Sequence, residues 1–339
     1  MQGVTVKISE LLPDSLKNKF IRVMKNFLSI FSLIKKRGLY TVFFATYYKA
    51  LIIAYKFLKI NFHIKKIYNF QMILDVRDRG LSRTLILFGQ RELEHKYMLE
   101  SYLKPGMSVL DIGANIGYYS LIELNLIGKN GTLIAVEPMR ENINLLEKNL
   151  KLNKYEKIEI HEVAISNKNS IEEIYVSEMS NLNTFHNKGT GTEFLTGEKR
   201  EVITKTVPSI LDGRKIDLIR MDVEGHEIEV IQGMIKEIEN NELSPAIIFE
   251  THTSRYNSDN HDIEPIIEKL FACGYYVSIV GSSSEEGTKR LQNLGYKKEI
   301  SFNTDEVVRS VFRNIAKDDI IQILTSTGGI RTVLLEKKL

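Results

Sequence analysis

A single cysteine, Cys273, stands in a chain of 339 residues. One thiol permits no intramolecular disulfide and no cysteine-based metal cluster, which fits a reducing compartment. Also missing is any run of roughly 18 to 20 uncharged apolar residues, the length a membrane span needs. The first strongly apolar run begins well inside the chain and carries no small-residue cleavage site, so a secretory signal is not expected. Internal repeats and low-complexity tracts are absent too. The rest is ordinary globular material, 43% apolar and 26% charged, which argues against a disordered or collagenous chain. At roughly 150 residues per domain, the length suggests one large domain or two smaller ones.

Net charge is almost lacking, +3 from 46 Lys+Arg against 43 Asp+Glu, but its distribution is uneven. Residues 1–70 carry 13 Lys/Arg and 2 Asp/Glu, net +11; the remainder carries 33 and 41, net −8. A helix start is expected at Pro13-Asp14-Ser15, after which Leu16, Phe20, Val23, Phe27, Phe31 and Ile34 recur at helical spacing. A second aromatic-rich segment carries Phe44, Tyr47, Tyr48, Leu51, Tyr55 and Leu58, with Lys49, Lys56 and Lys59 spaced to share another face. Basic, aromatic, amphipathic helices suit an anionic membrane surface. The plainer alternative is that they cover the chain's own domain or an oligomer partner, a homo-oligomer included, and nucleic acid is the weakest of the three.

From about residue 108, strand-like runs alternate with helical patterns, which predicts a parallel α/β sheet. Strands are expected at 108–113, 131–137, 158–165, 216–222, 245–250, 275–280 and 331–336. Helices are expected at 117–127, 143–150, 226–239 and 263–272. The Ser/Asn/Thr/Gly-rich stretch at 166–206 predicts hairpins and loops over one sheet edge.

In such a sheet, ligands bind at the carboxyl ends of strands, so residues just after strands carry most weight. The first set is Asp111-Ile-Gly113-Ala-Asn115-Ile-Gly117. Its glycines allow a tight turn and close backbone approach, and the helix that follows presents free amides. Asn115 occupies the second glycine position of a dinucleotide loop, so this spacing suits S-adenosylmethionine better than a pyrophosphate. Glu137, ending the second strand, can accept hydrogen bonds from both ribose hydroxyls. The third set, Arg220-Met-Asp222-Val-Glu224-Gly225-His226-Glu227, ends the fourth strand, and Glu250-Thr-His252 follows the fifth. A metal site could be drawn from Asp222, His226, Glu250 and His252, but no tight ligand spacing supports one, and none is expected. His186, in the insertion, reads as a loop residue rather than a ligand.

Gly89-Gln-Arg-Glu92, Lys104-Pro-Gly106, Val109-Leu-Asp-Ile-Gly-Ala-Asn-Ile-Gly-Tyr-Tyr119, Val136-Glu-Pro138 and Asp217-Leu-Ile-Arg-Met-Asp-Val-Glu-Gly-His-Glu227 together resemble the FkbM family of S-adenosylmethionine-dependent methyltransferases, over roughly residues 75–282. The resemblance implies a class I methyltransferase (Rossmann-like) fold: a doubly wound α/β sheet of seven strands with one antiparallel strand. A basic helical region, 1–70, would precede a methyltransferase domain, 71–339. It implies O-methylation of a sugar, glycan or natural-product hydroxyl. By the same likeness, Asp111, Gly113, Asn115 and Gly117 hold the methionine end of the cofactor, Glu137 its ribose, and Glu162 lies near the adenine. Glu92 orients the loop from the side, or merely begins a helix. Arg220 stands where the family often has lysine, a change that keeps charge but not geometry.

Methyl transfer to a hydroxyl needs an in-line arrangement and a proton acceptor. Asp222, Glu224, His226 and His252 are the candidates. Asp222 is expected to border the methyl group, and His226 or His252 to take the proton, because histidine titrates nearest neutral pH. Against this, Glu224 and Glu227 could simply favour a helix N-terminus, and His226 could be a surface helix residue. The acceptor is expected to be a small molecule, sugar or lipid-linked glycan, and the protein cytoplasmic, peripheral on the inner face of the membrane. The competing functions are a nucleic-acid methyltransferase and a catalytically inactive cofactor-binding subunit at a membrane. No Asn-Pro-Pro-Tyr type motif supports the former.

Overall fold

A computed structural model describes residues 46–156, 158–256, 261–304 and 307–338. The helix expected from Pro13 lies outside the described residues. The chain divides into two compact units, 1–61 and 62–339. In the first, residues 46–57 form a helix, as the aromatic spacing predicts, and Ile53 and Phe57 are exposed on it. No helix of the described residues is long and apolar enough to cross a membrane.

Among the described residues the second unit has fourteen strands: β1 (Phe62–Ile67), β2 (Phe70–Asp75), β3 (Ser108–Ile112), β4 (Thr132–Val136), β5 (Glu159–His161), β6 (Ala164–Ile165), β7 (Ser170–Ser177), β8 (Leu195–Lys205), β9 (Leu218–Met221), β10 (Ala246–Glu250), β11 (Tyr275–Ser282), β12 (Ile300–Thr304), β13 (Val307–Arg313) and β14 (Ile330–Lys337). The main sheet runs β12-β13-β11-β14-β10-β9-β3-β4-β5. Pairings from β5 through β10 are parallel, and β14 is antiparallel to both β10 and β11. The expected seven strands with one antiparallel member are therefore present. The hairpin β12–β13 adds two more at the β11 edge.

Central strands read as near-continuous apolar runs because helices cover both faces. Val109, Leu110, Leu218, Ile219, Ile247 and Phe249 are all fully buried. The helix Tyr118–Ile127 has almost every residue buried, so it packs on more than one side.

Three boundaries differ from the sequence reading. The strand expected at 158–165 is two strands. β5 stays in the main sheet, whereas β6 pairs with β8 in a separate three-stranded sheet with β7. The β7–β8 hairpin is the one expected in the 166–206 insertion. The helix expected over 226–239 is broken into Glu227–Gln232 and Ile235–Glu239, where Met234 leaves helical geometry (φ −127°, ψ 0°); the adjoining Gly233 lies so close to the Ser166 carbonyl that a Cβ would overlap it. Finally, the charge boundary at residue 70 cuts a hairpin, β1–β2, which belongs to the second unit. Lys65 and Lys66 sit within a strand and contribute to the basic count without being helical.

Candidate functional site

Three strand ends meet at the glycine loop. Gly113 and Ala114 donate to the Val136 carbonyl at 2.9 and 3.0 Å, and Asp222 donates to the Ile112 carbonyl at 3.1 Å. Gly113 has φ +79°, and a Cβ there would overlap the Asp222 carbonyl oxygen. Both facts demand glycine. Asn115 is also left-handed, φ +49°. Its amide donates to Glu137 Oε2 at 3.0 Å, while Oε1 accepts from Met139 N (3.1 Å) and Asn142 Nδ2 (2.9 Å). Burial pushes the Glu137 carboxyl up to about 7 despite those three donors.

Behind the loop lies a buried ion network. Arg220 is 1% exposed. Its Nη1 reaches Asp111 Oδ1 at 3.0 Å and the Gly113 carbonyl at 3.2 Å, its Nη2 reaches Asp222 Oδ2 at 3.3 Å, and its guanidinium lies 4.2 Å from the Tyr119 ring centroid. Ser120 Oγ donates to Asp111 Oδ2 at 2.6 Å. Both Asp111 oxygens are thus engaged and fully buried, so Asp111 acts by holding Arg220 and the loop, not by facing a ligand.

A cleft of about 810 Å³, open mouth included, runs along these strand ends. Of the expected cofactor residues, Gly113, Asn115, Glu137 and Asp222 line it, whereas Glu92, Asp111, Gly117 and Glu162 do not. Gly117 instead caps the helix Tyr118–Ile127. Glu162 is an exposed partner of Arg140 at the sheet edge, where β5 ends before the chain crosses to β6. Glu92 is buried beneath the site, bound by Arg91, Tyr119 and Arg331. It also precedes the helix Leu93–Tyr102, though it caps it with no side-chain bond.

The fourth wall is the insertion. The Ser180 carbonyl accepts from Asn115 Nδ2 (3.1 Å) and Asn142 Nδ2 (3.2 Å), tying the insertion loop to the glycine loop and to the helix beyond Glu137. Asn183 and Phe185 line the cleft with it.

These residues fit S-adenosylmethionine. Asp222 Oδ1 and Ser180 Oγ belong to lining residues and are buried with no partner, a condition that native sites tolerate when a ligand completes it. Glu137 retains lone pairs for ribose hydroxyls. Ile112, Val136 and Val163 offer an apolar face for the adenine, and Arg91 offers a cation for the carboxylate.

At the ends of β9 and β10 sits a second charged cluster. Glu224 and His226 line the cleft; His252 does not. Glu224 is left-handed at φ +51°. Its carbonyl accepts from Thr184 Oγ1 and Arg255 Nη1, both at 2.7 Å, and burial raises its carboxyl pKa. His252 Nδ1 is 2.9 Å from Glu227 Oε1, and its Nε2 lies 3.4 Å from Glu224 and 3.6 Å from Glu250. Burial alone would lower its pKa, but Glu227 and Glu224 outweigh that and push it up to about 10. The expectation that His252 titrates near neutrality is therefore corrected: the charges of Glu227 and Glu224 favour its protonated form well above neutral pH. His226 is not a surface residue either. It is 4% exposed, stacked at 4.3 Å on Phe185, with Nε2 2.9 Å from Ser166 Oγ, and burial lowers its pKa.

Sequence reasoning missed Arg91, Ser180, Asn183, Phe185, Arg255 and Arg331. Only Arg91 had a signal, since it adjoins Glu92 in the quoted motif. Ser180, Asn183 and Phe185 come from the insertion, Arg255 from a short turn of helix after β10 and Arg331 from β14, and their contacts are set by the fold.

Residues 111–277 match the model of the methyltransferase FkbM domain. A protein-L-isoaspartate O-methyltransferase of Caenorhabditis elegans is 33% identical over 67 residues, 20% of this chain and 30% of that one. The chain spans less than a third of the length of the curated relatives it matches. Among solved structures, a methyltransferase FkbM from Methylobacillus flagellatus KT is 12% identical, covering 64% of this chain and 50% of that one at a TM-score of 0.33. An S-adenosylmethionine-dependent O-methyltransferase from Thermotoga maritima is 13% identical, covering 76% and 71% at a TM-score of 0.37. The strand order, the cleft at the parallel strand ends and the matched model agree that residues 111–277 form a methyltransferase FkbM domain, of the kind that uses S-adenosylmethionine.

Proposed function

We propose that this chain transfers the cofactor's methyl group to a hydroxyl of a neutral, polyhydroxylated acceptor: a sugar, a glycan or a natural product. The observation that carries the reading is the acidic wall of the cleft. Asp222 and Glu224 line it side by side, and Asp222 Oδ1 is buried without a partner. An ionised carboxylate only accepts hydrogen bonds, so this wall suits hydroxyl donors and repels phosphates.

Bound S-adenosylmethionine supplies an electrophilic methyl carbon on a sulfonium sulfur. The chain's own part is to orient the acceptor oxygen and take its proton. Glu224 takes the proton, because burial raises its pKa toward the working pH. Asp222 Oδ1 orients the hydroxyl. His252, already protonated, holds Glu224 and Glu227 in place, and His226 has its Nε2 engaged by Ser166. Glu224→Gln should lower kcat by about 10²- to 10⁴-fold while cofactor affinity stays near wild type. A panel of sugar, polyol, isoaspartyl-peptide and RNA acceptors tests the class. Methylation of peptide or RNA alone, or cofactor binding with no turnover on any acceptor, overturns the reading.

The acceptor is lipid-linked in this proposal, and residues 1–70 bring the enzyme to an anionic surface. Supporting this, the helix 46–57 exposes Ile53 and Phe57 alongside Lys49 and Lys56. Co-sedimentation with anionic vesicles should retain the full chain and not a chain starting at residue 62. Equal pelleting of both counts against it.

A further inference from the structure

Beyond the methyl-transfer chemistry, the insertion loop meets the catalytic wall at a cluster of histidines. His186 follows Phe185 of the cleft, Glu229 lies on the helix Glu227–Gln232, and His261 follows β10. One ligand atom from each of His186, Glu229 and His261 falls within 4.8 Å of the others. His261 Nδ1 is 2.7 Å from the Arg255 carbonyl. A carbonyl only accepts, so Nδ1 carries the hydrogen and Nε2 presents its lone pair to Glu229, 3.2 Å away. A lone pair facing a carboxylate requires a cation between them. A proton would satisfy that pair alone. It would not explain His186 Nε2, which is buried with no partner on the third side, or the His186 and His261 rings lying 4.5 Å apart.

We propose that His186, Glu229 and His261 bind a divalent transition-metal ion, zinc being the best fit, which staples the insertion loop to the wall of the cleft. Two imidazoles and one carboxylate form a set that zinc accepts, with bonds of about 2.0–2.2 Å that place tetrahedral donors roughly 3.4 Å apart. The 3.2 Å Glu229–His261 separation already matches this spacing. The Nδ1–H bond of His261 to a backbone carbonyl is the outer-shell contact that orients a metal-binding histidine. A fourth position is open to water or to His226, whose Nδ1 is buried, lacks a hydrogen bond and lies 3.4 Å from Glu229 Oε2. Because Phe185 and Asn183 line the cleft a few residues before His186, the ion would fix the loop that closes the site.

The test uses the full chain, stripped with a chelator, dialysed, and titrated with Co²⁺ and Zn²⁺. Expected are one equivalent of zinc by elemental analysis and visible ligand-field bands of tetrahedral cobalt. Zinc should also slow proteolysis within residues 178–194. His186→Gln and His261→Gln should each weaken binding at least tenfold, with circular dichroism unchanged; His186→Gln, in a loop, serves if His261→Gln fails to fold. Absence of stoichiometric uptake overturns the proposal. So does uptake that survives both substitutions but is lost in His252→Ala, which would place the ion at the separate Asp222, Glu250 and His252 group.

Discussion

Arg331 and Glu92, 239 residues apart in the chain, are joined at 2.6 Å. The same Arg331 nitrogen reaches Glu250 at 2.6 Å, and Arg91 Nε reaches the same Glu92 oxygen at 2.7 Å. Burial would raise the Glu92 carboxyl, but Arg91 and Arg331 hold it well below the usual range. The closing strand β14 is thereby tied to β10 and to the segment before the helix Leu93–Tyr102.

Removing that guanidinium leaves two buried carboxylates short of a cation. Arg331→Met should lower the unfolding free energy by about 3 kcal/mol, within the range for breaking a buried pair. Arg331→Lys should recover only part of it, since lysine offers a point charge and not a fork. Urea unfolding of the three proteins measures both. A loss under about 1 kcal/mol for the methionine variant would show the contact to be dispensable.

Gly113→Ala attacks the loop directly. A Cβ there meets the Asp222 carbonyl oxygen, and φ +79° is strained for alanine as well. The strand ends must move apart, displacing the Asp222 side chain that lines the cleft. Cofactor affinity by calorimetry should fall at least tenfold. Gly128→Ala, at φ +66° with open space around it, serves as the control and should leave affinity unchanged.

The parallel part of the sheet was legible because its strands are buried on both faces and bounded by Gly113, Pro138 and Gly274. The cofactor loop was legible because Gly113 and Glu137 answer local demands of turn geometry and hydrogen bonding. What escaped depends on contacts between distant segments. Ile165 reads as continuing β5 until β8 offers it another partner. The periodic run 226–239 is interrupted at Met234, beside a glycine against which Ser166 packs. His252 looked like a neutral base since sequence does not display Glu224, Glu227 and Glu250 arriving from two strand ends.

Glu137 gives cofactor binding a pH dependence. Its carboxyl, raised by burial to about 7, must be ionised to accept ribose hydroxyls in full. Affinity for S-adenosylmethionine should therefore rise with pH up to about 7.5 and fall toward tenfold per unit below about 6.5. Glu137→Gln should bind more weakly, by about 1.5–3 kcal/mol for a hydrogen bond to a charged group, and with a flat pH profile. Calorimetry between pH 6 and 8 decides; a sloped profile in the glutamine variant would assign the titration elsewhere.

His252 makes a prediction about the fold. Its folded pKa, about 10, lies above the ordinary 6.5 because Glu227 and Glu224 outweigh burial. A group raised in this way contributes its full stability below pH 6.5 and loses it as pH climbs toward 10. Glu250, lifted by burial to about 8, acts in the same direction, since it binds a proton in the fold that the unfolded chain has released. Tm should consequently fall between pH 6.5 and 9.5. His252→Ala should be less stable at pH 6.5, because it strands buried carboxylates, and its Tm should decline less steeply over the same interval. Equal slopes for wild type and variant would mean that the imidazole is not charged in the native state.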